Sequence, residues 1–337
     1  MEFVTGGSGF TGSHLICQLL IRGRNITALR RSDSDLQGFR VIAAHYGLST
    51  EEIENKLRWI EACLEDPETY EAYLNHDTRV YHCAAEVGFG KDQKHRMQIT
   101  NIQGTAFLVN TCIEKNILRM CHVSSIACLG SRTDGEPVTE EDDWQEMMPH
   151  SAYSRSKYLA ELEVWRGIAE GLPAIIVNPS VITGPGGPKS SFSRMIKTVA
   201  DGLSYYPPGS NAWVDVRDVA EAMILLTEDS GSEGQYILSG GNHTYKDVLI
   251  WIAEGLKTKS PSRAAGKPMM KAASVLLNIR QALGGKRNPM NSELVRISCN
   301  QFSCSSDRYI SKTGFQFRSI RDSVMEASQL FLQIKKV

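Results

Sequence analysis

The sequence predicts an α/β protein, in which a doubly wound parallel sheet carries a smaller, mostly helical lobe formed by the C-terminal part of the chain. Three observations lead to this prediction. Short apolar strands alternate with amphipathic helices through the first half of the chain, as in sheets whose parallel strands are joined by crossover helices. A glycine-rich turn follows the first strand. After about residue 180 the alternation gives way to a loop rich in glycine and proline and then to a series of helices.

The predicted strands are short and mainly apolar, which is typical of strands buried on both faces of a sheet. They span 3–4, 26–29, 57–60, 80–81, 120–123 and 174–177. The helices predicted between them span 14–21, 67–74, 97–114 and 153–170, with a further helix inside 39–55. Ser49 or Thr50 can cap that further helix. Gly171 and Pro173 are expected to end the helix at 153–170, because neither residue favours a helix interior.

The turn between the first strand and the first helix carries Gly6, Gly9 and Gly12, one glycine at every third position. Glycine permits a tight turn and lets the backbone approach a pyrophosphate closely. The start of the helix then presents free N–H groups to the anion. Because strand, glycines and helix occur in this order, the sequence predicts a dinucleotide site of the Rossmann type, to which Phe10 and Thr11 also contribute.

The second half of the chain is expected to cover the carboxyl edge of the sheet. Residues 184–188 predict a loop. Helices are predicted at 192–201, 216–227, 245–256, 271–283 and 319–332. We therefore place a dinucleotide-binding domain at 1–178, to which later strands of the second half are added, and a substrate-binding lobe at 179–337.

Composition and charge argue against several classes of protein. The 337 residues include 37 basic and 38 acidic side chains, without the basic excess typical of nucleic-acid or membrane-surface binding. The most apolar stretch, 272–283, is too short to span a bilayer and is interrupted by polar residues. The eight cysteines show neither metal-ligand nor disulfide spacing. We expect a cytoplasmic protein with reduced thiols, no metal, and neither a nucleic-acid nor a membrane partner.

The end of the second strand indicates which dinucleotide is bound. Arg30, Arg31 and Ser32 occupy this position, and the first acidic residue is Asp33. A site that prefers NAD usually has an acidic residue at the strand tip, which binds the ribose 2′-hydroxyl. Two arginines and a serine instead suit a 2′-phosphate. The sequence therefore predicts NADP, with NAD and a merely solvated basic turn as the alternatives.

A tyrosine and a lysine indicate the chemistry. Tyr153 and Lys157 are four residues apart on a predicted helix, so both side chains can point into one cleft. A nearby ammonium is expected to lower the tyrosine pKa toward neutrality, which suits proton exchange with a carbonyl or alcohol. Ser124 and Ser125 follow the fifth strand, where hydroxyl groups face the ligand crevice. The alternatives are an exposed tyrosine and lysine on a surface helix and a serine that only completes a turn.

Several other polar residues are expected to have structural roles. His82 and His122 lie near strand ends and are interpreted as hydrogen-bonded core histidines. Asp215, Arg217 and Asp218 lie at the start of a predicted helix, where we expect capping and ion pairing.

Several blocks of sequence occur in the order found in one enzyme family. They are TGGSGFTG (5–12), HCAAEV (82–87), NIQGT (101–105), VSSIACLG (123–130), YSRSK (153–157), NPSVITGPG (178–186) and VDVRDVA (214–220). On these blocks, nearly the whole chain resembles the extended short-chain dehydrogenases/reductases, a superfamily of NAD-dependent epimerases and dehydratases. It looks closest to the branch of dihydroflavonol reductases and 3β-hydroxysteroid dehydrogenases. The resemblance implies a catalytic tetrad of Asn101, Ser125, Tyr153 and Lys157.

The same resemblance implies further contacts with the dinucleotide. It places one segment along the adenosine and ribose, a second against the nicotinamide and a third beside the adenine. These segments are, respectively, Cys83, Ala84 and Ala85; Pro179, Ser180 and Val181; and Cys63 and Leu64. Cys63 stands where the family usually has an aspartate that contacts adenine. We therefore expect adenine recognition through backbone groups.

Two departures from relatives within the family bear on the reaction. Sugar dehydratases carry an Asp-Glu pair after the catalytic hydroxyl, whereas this chain has Ile126 and Ala127, which cannot act as acid or base. Sugar-nucleotide epimerases commonly carry an arginine where this chain has Asn211, which argues against a nucleotide-sugar substrate.

The predicted function is the NADP(H)-dependent reduction of a ketone or aldehyde of a small, largely apolar substrate, or oxidation of the alcohol. Candidates for an apolar substrate wall are Phe89, Phe192, Met195, Tyr205, Tyr206 and Trp213, and the alternative for each is a place in the core. The alternatives are a nucleotide-sugar epimerase with tightly bound NAD and a non-catalytic NADP-binding regulator, against which the Ser-Tyr-Lys set argues. Relatives imply a possible homodimer through the helices at 97–114 and 153–170.

Overall fold

A parallel sheet is the frame on which the chain is arranged. The computed structural model describes residues 1–87, 91–148, 150–188, 190–266, 268–272 and 292–335. The strands in these ranges are β1 (Glu2–Thr5), β2 (Ile26–Arg30), β3 (Leu57–Glu61), β4 (Arg79–His82), β5 (Arg119–Val123), β6 (Ala174–Pro179), β7 (Val181–Thr183), β8 (Tyr205–Tyr206), β9 (Ser210–Asp215), β10 (Gly234–Leu238), β11 (Gly241–Thr244) and β12 (Arg263–Ala264).

The central sheet has seven strands in the order β10-β6-β5-β4-β1-β2-β3, and all neighbouring strands are parallel. The strand order reverses between β1 and β4, and ligands bind beyond the carboxyl ends of the strands at such a point. All six predicted strands are present, and β10 from the second half of the chain joins them beside β6. The predicted fold class is confirmed.

Helices flank this sheet and make up much of the second half of the chain. They are α1 (Phe10–Ile21), α2 (Gln37–His45), α3 (Thr50–Lys56), α4 (Lys91–Met97), α5 (Gly104–Glu114), α6 (Ala152–Ala169), α7 (Ser191–Ala200), α8 (Val216–Glu228), α9 (Tyr245–Leu256), α10 (Ser292–Cys299), α11 (Asp307–Thr313) and α12 (Ile320–Lys335). The helix predicted at 271–283 lies, from residue 273 onward, outside the described residues.

Three predicted helices differ from the structure. The stretch 67–74 forms two short 3₁₀ turns, because Tyr70 between them is not helical. The stretch 39–55 forms parts of two helices, and the second begins with a capping box in which Ser49 and Glu52 bind each other's backbone N–H groups. The stretch 97–114 is α5 preceded by a π-helical turn at Gln98–Gln103, a local irregularity often found at functional sites.

The end of α6 agrees with the prediction from Gly171 and Pro173. The helix ends at Ala169, and Gly171 follows with a φ of +96°, a conformation that side chains with a Cβ rarely adopt. Thus α6 runs from the edge of the ligand crevice to a stop that the sequence already marks.

The C-terminal lobe contains strands that the sequence pattern does not predict. A three-stranded sheet has the order β11-β9-β7, and β8 pairs with β12 in a second small sheet. These strands have two to six residues, too few for a clear periodic signal. The described part of the chain contains no helix long and apolar enough to cross a membrane.

Ion pairs and hydrogen bonds organise the start of α8 and join it to the segment before α12. Asp215 accepts a hydrogen bond from the backbone N–H of Arg217 at 2.7 Å and pairs with its guanidinium. Asp218 pairs with Arg318, just before α12. The predicted capping and pairing at the start of α8 is therefore confirmed, and it also anchors the last helix of the chain.

Candidate active site

The glycine turn packs directly against the loop that follows β4. Gly6 has a φ of +67°, and a Cβ there would lie 2.6 Å from the backbone nitrogen of Ala84. The N–H of Gly9 donates to the carbonyl of Gly6 at 2.9 Å, which closes the turn. Gly12 is pressed against the same carbonyl. The chain therefore forms a cradle without side chains, as close approach of a pyrophosphate requires.

The start of α1 completes this cradle. The helix begins at Phe10 and has no acidic residue in its first turn, which suits an anion at its N-terminus. A cavity of about 150 Å³ lies beside the turn. Its walls are Ser8, Gly9, Phe10, Ser13, Asp35, Gln37, Gly38, Ile42, Gly187, Pro188 and Ser190. The residues present thus fit a bound dinucleotide at the place that the sequence predicts.

Ser125 and Tyr153 come together at the carboxyl edge of the sheet. Ser125 lies just beyond β5, where its hydroxyl accepts a hydrogen bond from the N–H of Ala127 at 3.1 Å. Tyr153 is the second residue of α6, which is capped by Ser151. The Ser125 hydroxyl lies close enough to the Tyr153 phenol to lower its pKa. The strand-tip hydroxyl and the phenol can therefore both reach one substrate oxygen.

The tyrosine pKa does not follow the prediction. Burial raises the pKa of Tyr153 to about 12, and the nearby Ser125 hydroxyl only partly opposes this shift. The expectation of a pKa near neutrality is wrong for the structure as it stands. Lys157, one helical turn further on, instead donates to the carbonyl of Val123 at 2.7 Å. Its ammonium group is thus bound at the end of β5 rather than at the phenol.

Lys157 is buried near the carboxylate of Glu161, which was not predicted from the sequence. Burial lowers the pKa of Lys157, and the nearby charge of Glu161 opposes that shift. Glu161 is itself buried, which raises its pKa, and it accepts a hydrogen bond from Asn178 at 2.9 Å. Tyr153, Lys157 and Glu161 follow one another at intervals of four residues. This helical spacing is the signal that could have identified the carboxylate.

Asn101 lies in the π-helical turn and holds the loop after β4. Its side-chain oxygen accepts the N–H of Glu86 at 2.7 Å, and its amide donates to the Glu86 carbonyl at 3.0 Å. The amide also lies 3.0 Å from the hydroxyl of Ser156, which donates to the carbonyl of Tyr153 at 2.9 Å. Asn101 therefore links this loop to the start of α6.

The predicted phosphate-binding residues lie at the end of β2, and their arginines already have acidic partners. Arg30 lies 3.9 Å from a carboxylate oxygen of Glu61. Arg31 lies 3.4 Å from Asp33 and 3.6 Å from Glu86. Ser32 follows Arg31 and is exposed. We call residues 30–32 the proposed phosphate end, and Ser125, Tyr153 and Lys157 the proposed catalytic end.

Cys63 and Leu64, which are predicted to lie beside the adenine, make contacts within the protein. The backbone N–H of Cys63 donates to the hydroxyl of Thr69 at 3.3 Å. The Cys63 thiol donates to Glu65 at 2.5 Å. Burial, followed by the bond to Glu65, raises the pKa of this thiol. Leu64 is buried against Gly104.

The segment predicted to lie against the nicotinamide follows the last residues of β6. Pro179 and Ser180 are buried, and Val181 is half-buried at the start of β7. Ser180 is 5% exposed, and its hydroxyl has no hydrogen-bond partner among the described residues. Cys83 and Ala84 in the loop after β4 are half-buried, and Ala85 is exposed.

The predicted substrate wall is only partly available. Phe192 and Trp213 lie in the core of the lobe, at 2% and 0% exposure, so the prediction that they line the substrate is wrong. Met195 and Tyr206 pack on the same core, and Tyr205 is exposed. Phe89 lies outside the described residues. Aromatic side chains filled the core first, as their large apolar area favours.

The sheet order, the glycine cradle and the group formed by Ser125, Tyr153 and Lys157 define a dinucleotide-dependent enzyme. A model of the NAD dependent epimerase/dehydratase family matches residues 3–239, and the chain belongs to this family. It is an NAD(P)-dependent oxidoreductase of the extended short-chain dehydrogenase/reductase type.

Several relatives are similar over most of their length. The chain is 30% identical over 278 residues to sterol demethylase protein B of Methylococcus capsulatus, which covers 81% of this chain and 80% of that relative. It is 24% identical to a putative dihydroflavonol 4-reductase of Synechocystis, with 98% and 94% covered. It is 26% identical to cinnamoyl-CoA reductase 1 of Arabidopsis thaliana, with 74% and 73% covered.

Solved structures show the same fold. The crystal structure of gox2253 has a TM-score of 0.82 and 29% identity, and the match covers 100% of this chain and 99% of that one. UDP-glucose 4-epimerase of Thermus thermophilus, solved with NAD, has a TM-score of 0.73 at 21% identity, with 98% of each chain covered. At that identity the likeness shows the fold alone.

Proposed function

We propose that the protein uses NADPH to reduce a ketone or aldehyde of a small, largely apolar substrate, or oxidises the corresponding alcohol. The observation that supports this most directly is that Ser125 and Tyr153 lie beside each other at the carboxyl edge of the sheet. The names of several relatives, including dihydroflavonol 4-reductase and cinnamoyl-CoA reductase, support a reductase. The intact Ser-Tyr-Lys set favours a catalyst over a regulator.

In the proposed mechanism, Ser125 and Tyr153 hydrogen-bond the substrate oxygen and hold its carbonyl in place. Tyr153 gives its proton to that oxygen in reduction and takes it back in oxidation. Lys157 and Asn101 support return of the proton through water. When bound, the nicotinamide supplies the hydride or accepts it.

The preference for NADP belongs to the same proposal. Arg30 and Arg31 support it, because guanidinium groups bind phosphate through paired hydrogen bonds. The division into a dinucleotide-binding domain at 1–178 and a substrate lobe at 179–337 is also proposed. The burial of Lys157 and its bond to the end of β5 support placing this residue at the border with the lobe.

A homodimer and a cytoplasmic location complete the proposal. Phe107 on α5 and Leu162 on α6 are 41% and 42% exposed, which supports a contact between copies through these helices. All eight cysteines lie within the described residues and are free thiols, as expected in a reducing compartment.

The test is to incubate the purified protein with NADPH and a panel of ketones and aldehydes and to follow the loss of reduced nicotinamide. We expect net consumption with at least one apolar carbonyl compound. Interconversion of a nucleotide sugar without net consumption would instead support an epimerase. Binding of NADPH without turnover of any compound in either test would support the regulator.

A further inference from the structure

His82 lies at the centre of a polar chain that the proposed chemistry does not use. It ends β4 and is fully buried. Its Nδ1 lies 2.7 Å from the hydroxyl of Thr5, and its Nε2 lies 2.9 Å from the hydroxyl of Thr105. Thr105 also donates to the backbone carbonyl of Asn101 at 2.5 Å. At the other end, the N–H of Ala84 donates to the Thr5 hydroxyl at 3.3 Å.

The hydrogen-bond partners in this polar chain determine which atom carries each proton. The Asn101 carbonyl can only accept, so the Thr105 hydroxyl donates to it and the Thr105 oxygen accepts the Nε2–H of His82. Nδ1 is then the bare nitrogen, and it accepts the hydroxyl proton of Thr5. The Thr5 oxygen in turn accepts the N–H of Ala84. His82 is therefore the neutral tautomer protonated at Nε2, and each group in the chain has its partner.

The surroundings keep this ring neutral. Burial, and after it the charge of Lys157, lower the pKa of His82 to about 3. A second buried ring, that of His122, lies 5.0 Å away between centroids, and its pKa is also well below the ordinary value, first because of burial. The polar chain therefore keeps the same proton arrangement at neutral pH.

The polar chain through His82 joins three segments that surround the predicted cofactor. Thr5 directly precedes Gly6, which opens the glycine turn, and Ala84 is the backbone against which Gly6 packs. Asn101 lies in the π-helical turn and holds the loop after β4 through Glu86. The hydrogen bonds of His82 therefore tie the β1 end of the glycine turn to the turn that carries Asn101.

We propose that His82 is a positioning residue for the dinucleotide, which fixes the glycine turn, the loop at 83–85 and the turn of Asn101 relative to one another. A neutral imidazole suits this role because its acceptor and donor point in different directions across a rigid ring. Asparagine and glutamine carry their donor and acceptor at one end of the side chain. The inference depends on dinucleotide binding alone and not on the proposed carbonyl substrate.

The chain offers a matched pair of variants for the test. Thr105 and Thr111 both lie on α5, and each hydroxyl donates to the carbonyl four residues earlier, at 2.5 and 2.9 Å. Both residues are buried, at 1% and 4% exposure. Only Thr105 contacts His82. Thr105→Val therefore breaks the polar chain, whereas Thr111→Val removes a comparable hydroxyl outside it.

We expect Thr105→Val to weaken the binding of both NADPH and NADH about tenfold, as the loss of one buried hydrogen bond allows. Thr111→Val should leave both dissociation constants unchanged, and Thr105→Ser should restore tight binding because it keeps the hydroxyl. Binding is measured by calorimetry without substrate, so the result is independent of any carbonyl activity. With a substrate in hand, the KM for the dinucleotide should rise more than kcat falls.

Thermal melting of the same variants separates positioning from general stability. If Thr105→Val melts earlier but binds both dinucleotides like the unmodified protein, His82 is merely a core residue and the proposal fails. It also fails if Thr111→Val weakens binding equally. Should Thr105→Val not fold, Thr5→Val breaks the polar chain at its other end, and Thr5→Ser is the rescue variant. The same binding and melting results then support or overturn the proposal.

Discussion

The proposed catalytic end and the proposed phosphate end of the cofactor groove are built differently. Lys157 is 3% exposed and bound to a backbone carbonyl, whereas the side chain of Arg31 is 63% exposed and paired with two carboxylates. Buried, hydrogen-bonded groups are held in one arrangement, while exposed ion pairs contribute little and rearrange easily. We infer from this contrast that buried contacts hold the proposed catalytic groups in place. Exposed charges, which a single substitution can change, would then set the choice of dinucleotide.

The largest expected effect lies at the proposed catalytic end. Tyr153→Phe removes the hydroxyl that exchanges the proton but keeps the ring, so kcat should fall about a thousandfold or more. The dissociation constant of NADPH should stay unchanged. Tyr158→Phe is the matched control, since this tyrosine lies on the same helix and stacks on Trp144. Near-normal turnover of Tyr153→Phe on the compound found in the carbonyl panel would remove the assignment.

The same contrast between buried and exposed groups predicts how stability depends on pH. His14 is fully buried on α1, its Nε2 bonds the Pro185 carbonyl at 2.8 Å, and burial lowers its pKa to about 4. The unfolded chain, with the ordinary pKa of about 6.5, binds this proton more readily. His14 thus contributes stability that is complete above about pH 6.5 and is lost as the pH falls toward 4.

Urea unfolding of His14→Gln measures this contribution. Between pH 6 and pH 5, the free energy of unfolding of the unmodified protein should fall by about 1.2 kcal/mol more than that of the variant. His76→Gln is the control, because the His76 side chain is 75% exposed, and this variant should keep the slope of the unmodified protein. Equal slopes for all three proteins would show that His14 does not titrate as its burial indicates.

What could be predicted from the sequence was encoded locally. Apolar runs marked β1 to β6, and the glycines marked the turn, because each signal lies within a few residues. The two-residue strands β8 and β12 are too short to carry a periodic signal. The contacts of Asn101 with Glu86 join segments whose proximity only the folded sheet creates. The pKa of Tyr153 depends on burial that residue spacing does not reveal.

Glu86 is another residue whose contacts could not be predicted from its position in the sequence. It lies at the proposed phosphate end, where it contacts Arg31. Its carboxylate lies 3.6 Å from Arg31, so it competes with a 2′-phosphate for that guanidinium. Asn101 holds Glu86 only through backbone groups. Glu86→Gln therefore removes the competing charge and leaves the loop in place.

We expect Glu86→Gln to tighten NADPH binding a few-fold and to leave NADH binding unchanged, with a smaller gain at high salt, because an exposed pair is worth under about 1 kcal/mol. Arg31→Ala should act in the opposite direction and weaken NADPH binding about tenfold. Glu163→Gln removes a carboxylate paired with Arg166 on α6 and controls for net charge. If Glu86→Gln and Glu163→Gln change NADPH binding alike, the gain reflects net charge and not Arg31. If Arg31→Ala weakens both dinucleotides equally, the phosphate is bound elsewhere, and exposed charge at the end of β2 does not set the preference.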